Sequence, residues 1–247
     1  PSSRRPALAA LASASMACAF AFATYHVATP SDATARAETP EIAIIDARSR
    51  MSRNEFQAAI DAIDAIPETG LAKPGIRATA NRYRGMSERW LALWEEELAA
   101  RTAEDAAGTA PVLQLITSRG PVTVMLFEEQ APNTVANFIE LSEQGFYNGT
   151  RFHRVEPNFV VQGGDPNSRP GTPGEPGTGG RGAQIPDESS RDDKRLHFAG
   201  AVAMAKAPNP NLPGASIPNT SSSQFYVVRE PRESLNKEYT VFGRVID

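Results

Sequence analysis

The spacing of apolar and polar residues along this chain changes near residue 108. In residues 41–107 apolar side chains recur every three or four positions, which is typical of amphipathic helices. One run starts after the SRNE sequence at 52–55, which has the form of a capping box, and stops at Pro67. The spacing predicts one helix there, with apolar positions Phe56, Ile60, Ile63 and Ile66.

A second helix is predicted from about Ile76 to Ala106. Its apolar stripe consists of Trp90, Leu93, Trp94 and Leu98, and the acidic run 95–97 lies near it on the side expected to face water. The two helices are expected to form a hairpin that packs on itself or on the next domain. A docking element for a protein partner is the alternative.

From Pro111 onward the pattern changes to short runs that predict β-strands. Two runs flank the SRGP sequence at 118–121, where Gly and Pro predict a hairpin turn. A short helix is expected from Pro132 to Gln144, with Gly145 as its left-handed C-terminal cap. Many short strands separated by turns predict a sandwich or barrel. The predicted strands cover 112–117, 122–127, 201–205, 224–228 and 239–245.

The first 40 residues predict a leader and a linker. Arg4 and Arg5 precede an uncharged, Ala-rich run from Pro6 to Ser31, which has the form of a signal peptide. A single membrane anchor is the alternative, because the run is long enough to span a bilayer. Either interpretation predicts a protein that is exported, periplasmic or anchored in the membrane outside the cytoplasm.

Composition narrows the function classes. The 247 residues carry a net charge of −4, with acids and bases spread along the chain, so a basic stripe for nucleic acid is not expected. The single cysteine, Cys18, excludes an internal disulfide and a Cys-based zinc site. His26, His153 and His197 are too scattered to predict a metal site by spacing. No cofactor is expected.

Two sequence runs contain the candidate binding and catalytic residues. FHRVEPNFVVQGGDP at 152–166 places a guanidinium, a carboxamide and two aromatic rings before a Gly-Gly turn. SQFYVV at 223–228 repeats an amide beside aromatic rings on a predicted strand. Together they predict an apolar pocket with a fixed cation at its rim.

These runs occur together with IPDE at 185–188, GAVAMA at 200–205 and YTVFGRV at 239–245. In this order the five blocks resemble the cyclophilin-type peptidyl-prolyl isomerases, and the similarity covers roughly Val112 to Asp247. The resemblance implies a mainly β domain at 110–247, a closed eight-stranded antiparallel barrel capped by two helices, preceded by the helical region at 41–107. It implies Arg154 as the catalytic cation. The implied lining of the peptide groove is Phe159, Val160, Gln162, Ala205, Lys206, Gln224, Tyr226, Leu235 and Tyr239.

The chain departs from the family pattern at several places. Tyr226 stands where many members have Phe, Lys206 where Asn is common, and Tyr239 where some have His. Ser234 stands where some members have the Trp associated with cyclosporin binding, which implies weak affinity for the drug. The loop 167–182 and the segment 208–220 look longer than usual. The chain stops at Asp247, where the family continues into a second helix and a last strand, so a fragment or a different barrel closure is expected.

The function implied is rotation about Xaa-Pro bonds in flexible chains, which assists protein folding. It needs no nucleophile or metal, because only a partial double bond is twisted. Gly163 and Gly164 are interpreted as conformational. His153 is interpreted as structural, on the strand face opposite Arg154, and Phe225 as core. The alternative is a module that binds proline segments with little turnover.

Overall fold

The computed structural model describes residues 39–247. The predicted signal peptide or anchor, and most of the linker after it, lie outside the described residues. Within the described part, every helix is too short or too polar to cross a membrane. The described residues divide into two compact units, 39–103 and 104–247.

The first unit is helical, and aromatic side chains fill its core. The ring of Phe56 is 1% exposed, stacks on Trp90 at a centroid distance of 6.3 Å and meets Trp94 edge-on at 5.9 Å. Aromatic pairs at these distances stabilise packing beyond the area they bury. The helices are α1 (Pro40–Met51), α2 (Phe56–Asp64), α3 (Glu68–Leu71) and α4 (Ile76–Ala107), most of which belongs to this unit.

The capping box predicted before α2 is wrong. Ser52 ends α1, and its hydroxyl donates to the carbonyl oxygen of Ser49 at 2.7 Å. Glu55 precedes α2 without a capping side-chain hydrogen bond and accepts instead from Arg53 at 3.0 Å. Asn54 has a φ of +61°, so a tight turn separates the two helices. The spacing of polar residues alone did not reveal that turn.

The stripe predicted on α4 is only partly buried. Trp90 is 3% exposed, whereas Leu93 and Leu98 are 38% and 48% exposed. Glu97, which was expected to face water, is buried, and its carboxylate accepts from Nε of Arg101 at 2.7 Å. A charge-assisted hydrogen bond offsets the cost of burying that carboxylate.

The second unit is mainly β, with one α-helix, α5 (Pro132–Glu143). Its strands form one antiparallel sheet in the order β1-β2-β7-β5-β6-β4-β3. The strands are β1 (Val112–Thr117), β2 (Gly120–Leu126), β3 (Arg154–Val155), β4 (Val160–Gly163), β5 (Ala201–Met204), β6 (Phe225–Val228) and β7 (Val241–Val245).

This sheet differs from the expected closed eight-stranded barrel with two helices. The described residues form seven strands and one α-helix in this unit, and β1 and β3 are the two ends of the sheet. Between β4 and β5 the chain runs through a short 3-10 helix (Pro166–Ser168), turns and isolated bridges, one of them between Ile185 and Ser221. The Gly and Pro residues of that segment favour turns over a further strand.

The first hairpin is tighter than predicted. Thr117 pairs with Gly120, so the turn has two residues, and β2 begins at Gly120 rather than after Pro121. The hydroxyl of Thr117 donates to the carbonyl oxygen of Gly120 at 2.7 Å. Gly120 has a φ of +121°, which residues with a side chain rarely adopt.

Helix α5 packs on the sheet through an aromatic cluster. The ring of Phe138 lies 5.1 Å from that of Tyr147, 5.3 Å from Phe225 and 4.9 Å from Phe242. All four side chains are buried in one apolar cluster. Phe225 is therefore a core residue, as predicted.

The start of α5 is held by a buried carboxylate. Glu188 is 6% exposed and accepts hydrogen bonds from the backbone N–H groups of Asn133 (3.1 Å) and Thr134 (3.0 Å). The Thr134 hydroxyl also donates to it, at 2.7 Å. A negative charge at this end is favourable, because the first N–H groups of a helix lack partners within it. The helix ends as predicted, with Gly145 at a φ of +68°.

Candidate active site

Strands β3 and β4 place Arg154 and Gln162 side by side. The two residues are directly opposed in the antiparallel pair, so their side chains lie on one face of the sheet. One terminal nitrogen of Arg154, NH1, donates to Oε1 of Gln162 at 3.0 Å. The guanidinium carbon lies 5.8 Å from the centre of the Phe159 ring. The cation is therefore held between an amide and an aromatic ring.

A carboxylate holds the other side of the same guanidinium. Oε1 of Glu156 accepts from Nε of Arg154 at 2.9 Å and from NH2 at 2.5 Å. The two side chains are 45% and 47% exposed, so this ion pair lies at the rim of the site. The sequence predicted no partner for Arg154. The available signal was the position of Glu156, two residues after Arg154 in an extended segment.

The amides of Gln162 and Gln224 link Arg154 to the surface loop 167–182. Nε2 of Gln162 donates to Oε1 of Gln224 at 2.8 Å. Nε2 of Gln224 donates to the carbonyl oxygens of Gly177 (3.0 Å) and Gly179 (2.8 Å). The donors all point in one direction, from the guanidinium to the loop, which fixes both amide orientations.

The carboxylate of Asp165 holds the same loop in place. This carboxylate is fully buried and accepts from the backbone N–H groups of Asn167 (2.7 Å), Gly177 and Gly179 (3.2 Å). Buried carboxylates require such partners. The long Gly- and Pro-rich loop is therefore ordered where it meets Gln224.

Six of the expected groove residues form one apolar cluster. Val160 and Tyr226 are among the buried members of this cluster, at 2% and 5% exposure, and the other four are half-buried against it. The Tyr226 and Tyr239 rings meet edge-on at 5.8 Å. The half-buried members are Phe159, Ala205, Leu235 and Tyr239.

The hydroxyl of Tyr226 points to a buried histidine. Nε2 of His197 lies 3.0 Å from that hydroxyl, and Nδ1 lies 3.0 Å from Oδ1 of Asn236. Because the same Oδ1 accepts from the His197 backbone N–H at 2.8 Å, Nδ1 donates and Nε2 accepts. Burial lowers the pKa of His197 to about 4, so the ring is neutral at physiological pH.

Lys206, another of the expected groove residues, forms an ion pair within the protein. Its Nζ donates to Oδ2 of Asp187 at 2.8 Å, and the two side chains are only 4% and 14% exposed. The ammonium also lies 5.3 Å from the centre of the Tyr239 ring. The backbone N–H of Asn219 donates to the same carboxylate oxygen at 3.1 Å. The positive charge of Lys206 is therefore balanced within the protein.

A cavity of about 440 Å³ opens beside these groups. Four of the expected site residues line it: Arg154, Gln162, Lys206 and Tyr239. The two segments that look long in the sequence also reach it, 167–182 through Pro176 and Gly177, and 208–220 through Pro208, Gly214 and Ala215. Sequence analysis did not predict that both segments would reach one cavity.

His153 also lines this cavity, so its predicted place on the face opposite Arg154 is wrong. Strict alternation does not extend to it, because β3 begins only at Arg154 and has two residues. Burial lowers the pKa of His153, which keeps the half-buried ring neutral at pH 7. In residues 39–247, no group of three or more His, Cys, Asp or Glu side chains is placed to hold a metal ion.

Comparison with known proteins decides the family. The model for the cyclophilin type peptidyl-prolyl cis-trans isomerase/CLD family matches residues 112–247, more than half of the chain. The chain belongs to the cyclophilin-type peptidyl-prolyl cis-trans isomerases. This confirms the resemblance found in the sequence and assigns the chain to an isomerase family.

Two relatives found by sequence agree with this cyclophilin-type assignment. Peptidyl-prolyl cis-trans isomerase CYP18-2 from Arabidopsis thaliana is 40% identical over 138 residues, which cover 56% of this chain and 76% of that protein. A peptidyl-prolyl cis-trans isomerase from Synechococcus elongatus is 42% identical over 133 residues, covering 54% and 79%. A solved cyclophilin type isomerase from Cryptosporidium parvum is 33% identical and covers 55% and 76%, with a TM-score of 0.46.

Proposed function

We propose that this isomerase twists Xaa-Pro bonds by a non-covalent mechanism in which Arg154 donates to the proline nitrogen. Amide resonance raises a barrier of about 18–20 kcal/mol to this rotation. In the twisted state the nitrogen regains its lone pair, whereas in the flat state that pair is delocalised. A donor aimed at the nitrogen therefore stabilises the twisted state selectively, which is the requirement for catalysis.

The number of N–H donors that Arg154 still has available supports this role. An arginine carries five N–H groups, and Glu156 and Gln162 engage Nε, NH2 and NH1 through one hydrogen each. One hydrogen on each terminal nitrogen is therefore left for a substrate. The planar shape of the guanidinium makes the donation directional.

The single observation that carries the proposal is the contact between this cation and the apolar cluster. The guanidinium carbon lies 5.8 Å from the Phe159 ring centre, and Phe159 packs against the apolar cluster that contains Val160 and Tyr226. A proline ring on such a surface is held by apolar contacts, with its nitrogen near the donor. Gln162 and Gln224 supply amide groups for the peptide backbone on either side.

The energetics require more than one hydrogen bond. An acceleration of about 10⁵-fold corresponds to about 7 kcal/mol of differential stabilisation. A charge-assisted hydrogen bond contributes about 1.5–3 kcal/mol. Removing water from the amide, and holding one side of the bond while the other turns, must supply the rest. The half-buried aromatic surface around Phe159 is suited to both tasks.

The test compares Arg154→Ala and Arg154→Lys with the wild type in an isomerisation assay on a proline tetrapeptide. We expect kcat/KM to fall about 100-fold or more in Arg154→Ala, equivalent to about 2.7 kcal/mol, and by less in Arg154→Lys. Arg191→Ala removes a surface guanidinium paired with Asp193 and serves as the control. A wild type no faster than the uncatalysed reaction, or an undiminished Arg154→Ala, would refute the mechanism.

A binding module is the second candidate, and the Arg154–Glu156 ion pair favours it, because the guanidinium is already neutralised. In that case the cavity captures proline segments without rotating the bond. Calorimetry would then show peptide binding while exchange between the cis and trans signals stays at the uncatalysed rate.

We further propose that the isomerase assists the folding of exported proteins. This proposal rests only on the sequence of residues 1–40, with its paired arginines and long uncharged run. Fusing residues 1–40 to a reporter that is active only after export tests it, with Arg4 and Arg5 changed to Glu as the control. A reporter that stays in the cytoplasm would argue against export.

A further inference from the structure

We propose that Glu156 determines the charge preference of this isomerase, by favouring substrates with a basic side chain next to the proline and disfavouring acidic ones. The inference rests on the proposed function, because it assumes that Arg154 acts on the proline nitrogen. It assigns a specificity-determining role to Glu156.

The position of Glu156 is fixed by the fold. Strand β3 is an end strand of the sheet, and the backbone N–H of Glu156 donates to the carbonyl oxygen of Val160 at 2.9 Å, just beyond β3. Glu156 follows β3 directly, and Arg154, its hydrogen-bond partner, lines the cavity. The hydrogen bonds to Nε and NH2 hold its carboxylate beside the reacting group.

Two other ionisable side chains that line the cavity, Lys206 and His153, do not supply an accessible charge. Lys206 is paired with Asp187, and both side chains are buried. Burial lowers the pKa of His153, so it is neutral at pH 7. Among the described residues that line the cavity, Arg154 therefore carries the exposed charge, and Glu156 is its direct partner.

The ion pair leaves Glu156 able to act on a substrate. Its side chain is 47% exposed, and Oε1 takes both hydrogen bonds from Arg154. Oε2 is therefore free of Arg154 and can meet an ammonium or guanidinium of the substrate. An acidic side chain at the same place is repelled by Glu156 and must compete with it for Arg154.

The charge effect is modest because the site is at the rim. Exposed ion pairs correspond to about a two- to fivefold change in an equilibrium or rate ratio. Salt screens such pairs, since the Debye length shrinks to about 4 Å at about 0.5 M. The preference is therefore expected at low ionic strength and should fade as salt is added.

The experiment uses the full chain and three tetrapeptides with Lys, Gln or Glu immediately before the proline, and three more with the same residues after it. NMR exchange between the cis and trans signals gives kcat/KM without a coupling protease. The variants are Glu156→Gln, which removes the charge and keeps the shape, and Glu156→Asp, which keeps the charge. Glu143→Gln, an exposed residue at the C-terminal end of α5, is the matched control.

In at least one of the two series, we expect the Lys-to-Glu ratio of kcat/KM to exceed one in the wild type, and to fall about two- to fivefold in Glu156→Gln. Glu156→Asp should keep most of the ratio, and Glu143→Gln should leave it unchanged. An unchanged ratio in Glu156→Gln, with all peptides still turned over, overturns this inference alone. A wild type that turns over no peptide overturns the proposed function together with it.

Discussion

The hydroxyl of Tyr226 donates to Nε2 of His197 across 3.0 Å, in a part of the protein where both residues are at most 5% exposed. The ring of Tyr226 belongs to the apolar cluster beside Arg154, whereas its hydroxyl belongs to the buried pair with His197. One side chain thus links the floor of the proposed groove to a buried polar network.

Replacing Tyr226 by Phe should separate these two roles. The ring stays in the floor, so kcat/KM on a proline peptide should stay within about twofold of the wild type. Nε2 of His197 loses its donor, and a buried unsatisfied group costs about 1–3 kcal/mol. Urea denaturation of the two proteins measures that loss.

The Tyr226 prediction has an internal control. In a His197→Phe background the hydroxyl has no ring nitrogen to meet, so removing it should cost less than in the wild type. The difference between the two measurements isolates the hydrogen bond. Equal costs in both backgrounds would show that the pair contributes nothing to stability.

The buried His197 predicts a dependence of stability on pH. Its pKa is lowered to about 4 by burial, against 6.5 for an unperturbed histidine. Between these values the unfolded chain binds the proton and the folded chain does not, so stability falls as pH falls. From pH 7 to pH 5 we expect the free energy of unfolding to drop by about 2 kcal/mol from this residue.

Urea denaturation at pH 7, 6 and 5 checks this dependence, with His197→Phe as the comparison. The variant should show a shallower slope over the same range. His153 contributes in the same direction, because burial also lowers its pKa. Parallel slopes for the wild type and the variant would assign the dependence to other groups.

Lys206 should matter for stability more than its place at the cavity suggests. Replacing it by Met leaves the carboxylate of Asp187 buried without its cation, which costs about 3 kcal/mol. Replacing Asp187 by Leu as well should recover much of that loss, because no unpaired charge then remains. Thermal unfolding of the single and double variants measures both effects.

The control for Lys206 is an exposed ion pair of the same kind. Lys73 and Glu41 lie 3.1 Å apart with side chains 54% and 48% exposed. Lys73→Met should leave the unfolding midpoint unchanged within error, because water screens exposed pairs. A Lys206→Met variant as stable as Lys73→Met would contradict the prediction.

Gly164 should not tolerate a side chain. It has a φ of +81°, and a Cβ there would lie 2.5 Å from the carbonyl oxygen of Ser223 and 2.9 Å from the Phe225 ring. We expect Gly164→Ala to lose about 3 kcal/mol or more of stability. Gly171 has a similar φ of +79° with nothing within 4 Å of a Cβ, so Gly171→Ala should lose about 1 kcal/mol. Equal losses would mean that backbone strain alone explains both.

The sequence was sufficient for the family and for much of the local structure. Five ordered blocks identified the family, and short runs between turns predicted the positions of β1, β5, β6 and β7 to within two residues. Gly145 predicted the end of α5 because its conformation is a local property of the backbone. The family resemblance also named the groove residues that the fold collects into one apolar cluster, although only Val160 and Tyr226 of these lie on strands.

Partners of individual side chains were decided by the tertiary structure. The Glu156 carboxylate on Arg154, the buried Asp187 on Lys206 and the neutral His197 behind Tyr226 depend on distances between strands and loops far apart in the chain. Sheet closure depends on the same kind of long-range pairing, and the sheet has seven strands where eight were expected. Periodicity and capping are fixed by neighbours in the sequence, whereas the balance of buried charge is fixed by neighbours in space.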